Sequence, residues 1–188
     1  MQNTMRSAAR LTMLALVALL AALAVAAPAQ AKPTIEKYGK PLSAPLLSFD
    51  KNPDSPLNSK LKLYFSIGKS TYTATVRAGS GNGTKNDCTK NKGWLPNGTY
   101  SNIPHYKKTG GNEVVRGWVW QLGSKKCSSG STTRTELFVH SNGIEGTKWD
   151  GKYGTQGCIK ISQDSRKWFS TWWRGSSGAS KGDLKVKS

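Results

Sequence analysis

The stretch KLKLYFSI sets the apolar Leu61, Leu63 and Phe65 in alternation with Lys62, Tyr64 and Ser66, the period of two that a strand with one buried face requires. After Gly68 the run TYTATVRAG is rich in Thr, Tyr and Val, so the two segments read as a hairpin turning at IGKS. Further on, GWLPNGTYSNI supplies a turn at Pro96, Asn97 and Gly98 followed by a short strand, and VVRGWVWQL, TRTELFVH and DLKVK are further strand candidates. One helical pattern stands out, from Ser162 to Trp173. Ser162 or Asp164 caps it, Trp168, Phe169, Trp172 and Trp173 recur near one face, and Gly175 ends it. Strands outnumber helices, so the pattern predicts a mainly β fold with one late helix, its aromatic face packed on the sheet.

Two segments ahead of the hairpin break the pattern. Residues 32–58 hold Pro33, Pro41, Pro45, Pro53 and Pro56, a spacing no helix survives, so they read as an extended arm or edge segment with Leu46, Leu47 and Phe49 laid on the domain surface. Residues 1–31 join Arg6 and Arg10 to the apolar run Leu11 to Ala27 and to small residues at Ala29 and Ala31, the layout of a secretory signal cleaved after Ala31. The apolar run has 17 residues, at the lower edge of what spans a bilayer, so cleavage is favoured over an anchor and no stable membrane span remains afterwards. The expected organisation is a signal peptide (1–31), a proline-rich arm (32–58) and one domain (59–188).

Export changes the reading of the charge and of the cysteines. Removal of the two arginines lowers the formal charge from +18 to +16, which favours anionic wall polymers as partners. The lysines are scattered and no arginine-rich recognition helix accompanies them, so a nucleic-acid partner is disfavoured. Cys88 and Cys127 lie in polar, loop-like sequence and are expected to pair in an oxidising compartment, ahead of the two other pairings. Cys158, between Gly157 and Ile159, is then left as the odd thiol.

That thiol follows a glycine in the turn-forming run TQGC, and His140 ends a strand candidate eighteen residues earlier. Two readings stand side by side at this level. One is a nucleophile and its base, with backbone N–H groups near Gly157 and Cys158 meeting an oxyanion; the other is a buried small thiol and an unrelated surface histidine. Asp150 and Glu145 flank the pair without a second acid to converge on. His105, in IPHYKK, reads as a surface residue. No H-x-x-x-H or C-x-x-C spacing occurs, so neither metal nor cofactor is expected.

The residues His140-Ser-Asn-Gly, then Thr155-Gln-Gly-Cys158-Ile-Lys-Ile, resemble the signature of the L,D-transpeptidase catalytic domain family, and the fourteen residues between His140 and Thr155 fit that family's spacing. KLKLYFSIGKSTYTATVRAG is similar to the family's opening hairpin and WLPNGTYS to its turn-and-strand stretch, with Leu95 where Thr is usual. The resemblance spans about residues 59–188. It implies a β-sandwich and cysteine acyl transfer on peptidoglycan stem peptides in a secreted or periplasmic, wall-associated enzyme. Cys158 would be the nucleophile, His140 the base, the Ser141 carbonyl its orienter, and Gly157 and Cys158 the oxyanion donors. Asn142, Thr155, Gln156 and Lys160 would face substrate. Gln156 departs from the pattern, since most members carry a second histidine there, and Lys160 replaces Arg or Asn. Glutamine donates a hydrogen bond but cannot share a proton as imidazole does, which leaves transfer to an amine and hydrolysis both open. A wall-binding module that kept the fold and lost the chemistry is the rival from another class. Oligomeric state is not legible.

Overall fold

The computed structural model describes residues 32–143, 149–176 and 180–188. The expected signal peptide and Glu145 lie outside them. Nine strands appear among the described residues: β1 (Thr34–Lys37), β2 (Leu46–Asp50), β3 (Ser59–Ile67), β4 (Ser70–Ser80), β5 (Gly98–Lys108), β6 (Gly117–Lys126), β7 (Thr133–His140), β8 (Ile159–Ile161) and β9 (Lys181–Lys187). Their order, β4-β3-β2-β9-β5-β6-β7-β8, closes when β8 pairs back onto β4, so the mainly β class takes the form of an eight-stranded barrel in place of the expected sandwich. The length of β4 allows the closure. Thr73 and its neighbours pair with β1, an added edge strand, while Ala78 to Ser80 on the same side of β4 take β8. Closure leaves few unpaired edges and encloses a space that side chains alone fill.

Alternation along each strand supplies that filling. Leu61, Leu63, Ala74, Val139 and Ile159 have no solvent exposure and share one core with Leu47 and Phe49. The last two correct the arm expected for residues 32–58. β2 runs antiparallel to β3 and parallel to β9 inside the barrel, because Pro45 and Pro53 flank Leu46–Asp50 without entering it, and every backbone donor of the strand is free for a ladder. The hairpin, by contrast, turns where its sequence indicates, with Ile67 opposite Ser70.

Helix α1 (Gln163–Gly175) packs on β3 and β6. The Ser162 hydroxyl accepts the Ser165 N–H at 3.2 Å, a cap contributing about 1 kcal/mol. Phe169 and Trp173 are fully buried, and Trp173 meets Trp120 edge-on at 5.8 Å between centroids, so most of the aromatic face serves packing; Trp168, stacked on Trp172, stays 44% exposed. His105 also departs from expectation. It is buried, stacked on Trp120 at 4.5 Å, with Nε2 2.9 Å from the Ser170 hydroxyl, because it shares the inward face of β5 with Ile103. Burial, with Arg174 nearby, lowers its pKa to about 4.

Cys88 and Cys127 form the expected disulfide, tying the loop after β4 to the end of β6 across 39 residues. A closure of this length contributes roughly 2–4 kcal/mol, chiefly by restricting the unfolded chain. Among the described residues no helix is long and apolar enough to cross a membrane.

Candidate active site

Strands β7 and β8 run parallel, with Val139 opposite Ile159 and His140 opposite Lys160. Val139 and Ile159 point into the barrel, so the alternate positions Phe138, His140, Cys158 and Lys160 point outward. Cys158 therefore falls beside Phe138, one pleat from His140. A rise of roughly 3.3 Å per residue and a strand spacing of roughly 4.8 Å place the His140 and Cys158 Cα atoms about 8 Å apart, with both side chains on one face. Both line a cavity of about 400 Å³, together with Glu136, Phe138, Lys108, Thr155 and Gln156. His140 and Cys158 thus share one cavity although they stand eighteen positions apart in sequence.

The imidazole is oriented by its neighbour. His140 Nδ1 lies 2.8 Å from the Ser141 carbonyl oxygen. A carbonyl can only accept, so Nδ1 carries the proton and Nε2 keeps its lone pair. Burial lowers the His140 pKa to about 4, and the charges of Lys160 and Arg166 act in the same direction, against the carbonyls of Ser141 and Val114. The thiol is shifted the opposite way. Cys158 is free and half-buried, and its Sγ approaches the Glu136 carbonyl oxygen at 3.6 Å. Burial raises its pKa to about 11 and the Glu136 charge adds to this, opposed by the Phe138 backbone and Arg134. At neutral pH both groups are uncharged, so this pair suits a base that takes the thiol proton as sulfur attacks, and not a preformed thiolate–imidazolium pair.

The turn before the thiol is held through nearly every polar group it has. Thr155 Oγ1 accepts the N–H groups of Gly81 at 3.0 Å and Gly157 at 3.1 Å, and donates to the Cys158 carbonyl at 2.7 Å. Ser80 Oγ donates to the Gly157 carbonyl at 3.2 Å. Arg134 Nη2 donates to the Gln156 carbonyl at 2.7 Å, while Nη1 reaches the carbonyl of Asp87 at 2.6 Å. The Gly157 N–H, expected as an oxyanion donor, is thus engaged by Thr155, and Thr155, expected to face substrate, both ties the turn together and lines the cavity. Replacing Thr155 with Val should cost about 2–3 kcal/mol in urea denaturation, because two donors and a carbonyl lose their shared partner, and Thr155→Ser should restore most of it.

The other expected substrate contacts divide. Gln156 is exposed and lines the cavity. Asn142 does not line it, and its carbonyl instead accepts from Gln163 Nε2 at 3.3 Å. Lys160 also lies off the cavity, buried with Nζ 3.8 Å from Asp150 and over the Trp149 ring at 5.3 Å; burial lowers its pKa. Lys160 thus acts on His140 through charge.

Two residues escaped the sequence reading. Arg134 is only 4% exposed, and alternation along TRTELFVH offers no reason to bury an arginine. Glu136 sits at φ 54° where the β6–β7 register slips, a left-handed backbone that a glutamate rarely adopts. A glycine in TRTELFVH would have signalled that bulge; the glutamate hides it. Asp87 also gathers with Cys88 and Cys127, but the two sulfurs are bonded to each other and offer no thiolate to a metal. Comparisons with family models, with curated proteins and with solved structures find no match to this chain.

Proposed function

We propose that the protein is a secreted cysteine acyl-transfer enzyme of peptidoglycan stem peptides, an L,D-transpeptidase-like enzyme with Cys158 as nucleophile and His140 as base. The observation that carries this reading is the shared cavity of the Cys158 thiol and a His140 imidazole whose Nδ1 is held by the Ser141 carbonyl. The disulfide is compatible with an oxidising compartment.

In the first half-reaction His140 Nε2 takes the thiol proton while Sγ attacks the carbonyl that follows the L-centre of diaminopimelate. The Cys158 N–H meets the oxyanion. Collapse breaks the bond to D-alanine, whose amine leaves with the proton from the imidazolium, and a thioester remains. In the second, His140 accepts a proton from an attacking amine, the amide forms, and Sγ departs to be reprotonated. Water in place of the amine makes the same cycle a hydrolysis. Gln156 stands on the cavity wall as a hydrogen-bond donor without a proton to exchange, so the base work falls on His140 alone.

The test incubates the mature protein with tetrapeptide-bearing wall fragments and resolves the products by mass spectrometry. Release of D-alanine with new cross-linked dimers is the outcome for transfer, and release or stem cleavage without dimers for hydrolysis. Absence of alanine release, cross-links and cleaved stems sinks the reading.

A further inference from the structure

Glu136, Phe138 and His140 follow one another along β7 and all line the cavity, as does Cys158, which precedes β8 and whose Sγ is 3.6 Å from the Glu136 carbonyl oxygen. Continued by one residue, the β7–β8 register sets the thiol along this row between His140 and Glu136. The base occupies one flank. The other is occupied by a carboxylate whose residue lines the cavity and whose backbone is held at φ 54°, a strained conformation of the kind that persists where the surroundings impose it and that clusters at functional sites. Above the middle of the row, Lys108 at the end of β5 reaches over the Phe138 ring, Nζ 5.8 Å from its centroid, and lines the same cavity. Among the described residues neither Glu136 nor Lys108 has an ion-pair partner, although the cavity they share is small enough for one bound peptide end to meet both.

We propose that Glu136 and Lys108 form a zwitterion-reading pair: the carboxylate takes a substrate ammonium, the lysine takes a substrate carboxylate, and the peptide acylated at Cys158 carries both charges next to the attacked carbonyl. This rests on the stem-peptide reading above and assigns its charges. The ammonium is that of the residue that becomes the acyl group, and the carboxylate is that of the amino acid that leaves. With opposite charges on its wall, the cavity favours a peptide that presents both charges, since neutralising either end removes one of the two attractions. The Glu136 carboxylate also helps keep the resting thiol protonated, and an arriving ammonium would neutralise that charge and ease proton loss from sulfur.

The experiment uses the mature Cys158→Ala protein, which cannot turn over, and three probes in calorimetry. These are the stem tetrapeptide ending in diaminopimelate and D-alanine, the same peptide acetylated on the diaminopimelate side-chain amine, and the same peptide amidated at the D-alanine carboxylate. Each cap should weaken binding about tenfold. Adding Glu136→Gln, which keeps side-chain size and the backbone demand, should abolish discrimination against the acetylated probe alone. Adding Lys108→Gln should abolish discrimination against the amidated probe alone. Equal binding of all three probes, no binding of any, or unchanged discrimination in both variants overturns the pair. Discriminating binding in Cys158→Ala protein, with no alanine release by the unmutated enzyme, would retain the pair and reject the proposed reaction.

Discussion

A Gly157→Ala protein should lose about 3–5 kcal/mol of stability and at least a hundredfold in the acyl transfer proposed above. Gly157 has φ 117°, a region that alanine enters only at a cost of about 1–3 kcal/mol. A Cβ there would also overlap Nη2 of Arg134 and lie 3.3 Å from the Gly93 carbonyl. Arg134 has little freedom to yield. It is buried, and moving it breaks its bonds to the Asp87 and Gln156 carbonyls, which adds overpacking and unpaired polar groups to the backbone strain. Cys158 is the next residue, so a displacement near 1 Å falls on the sulfur proposed as nucleophile, where such an error costs about a hundredfold in rate. Chemical denaturation and initial rates check both parts. A double-mutant cycle with Arg134→Ala locates the cause: removing the guanidinium should make the alanine at 157 far less costly, and simple additivity would refute the clash.

Acid should unfold the protein through its two histidines. His140 and His105 both titrate near 4 when folded, against about 6.5 unfolded, with burial as the leading cause for each. Between those values the unfolded chain binds more protons than the native one, so stability is fully present above pH 6.5 and falls as pH drops towards 4. Each shift is worth at most about 3 kcal/mol, and together they approach the whole stability of an ordinary domain. Asp50, held low by Lys62 and Lys187, loses its contribution only below the ordinary carboxylate range. Urea midpoints measured from pH 7.5 to 4.5 should therefore fall steeply. A His105→Gln protein should show about half the slope, whatever its stability at neutral pH. A flat profile across that interval would mean that neither histidine is held neutral in the native state, and half the slope in the unmutated protein would mean that only one is.

These expectations show which parts of the molecule were legible in its sequence. Strong local patterns survived: the alternation of Leu61, Leu63 and Phe65, the hairpin at Gly68, the Ser162 cap and the pairing of Cys88 with Cys127. What escaped depends on partners far along the chain. No periodicity within LLSFD indicates that it will lie parallel to β9, so prolines at its ends were enough to suggest a surface arm. Barrel closure is decided by three residues of β4, Ala78 to Ser80, meeting three of β8. The candidate site divides along the same line. His140 and Cys158 are visible as residue types at a spacing, and their approach follows from a parallel pair that the sequence does not announce. Arg134, Asp87 and Glu136 are polar residues in polar stretches; they gain meaning only once the turn they support is in view. His105 was misjudged because a single histidine among lysines looks exposed, although its parity with Ile103 places it inward.

The central proposal is that Cys158 carries the acyl group. Intact-protein mass spectrometry after rapid acid quench of the protein lacking residues 1–31, incubated with excess stem tetrapeptide, addresses it most directly. The expected result is a gain equal to the peptide less one alanine, localised by digestion to the peptide containing Cys158 and absent in Cys158→Ala protein. Processing of the tetrapeptide with an unmodified Cys158, or an adduct that persists when Cys158 is replaced, would contradict it.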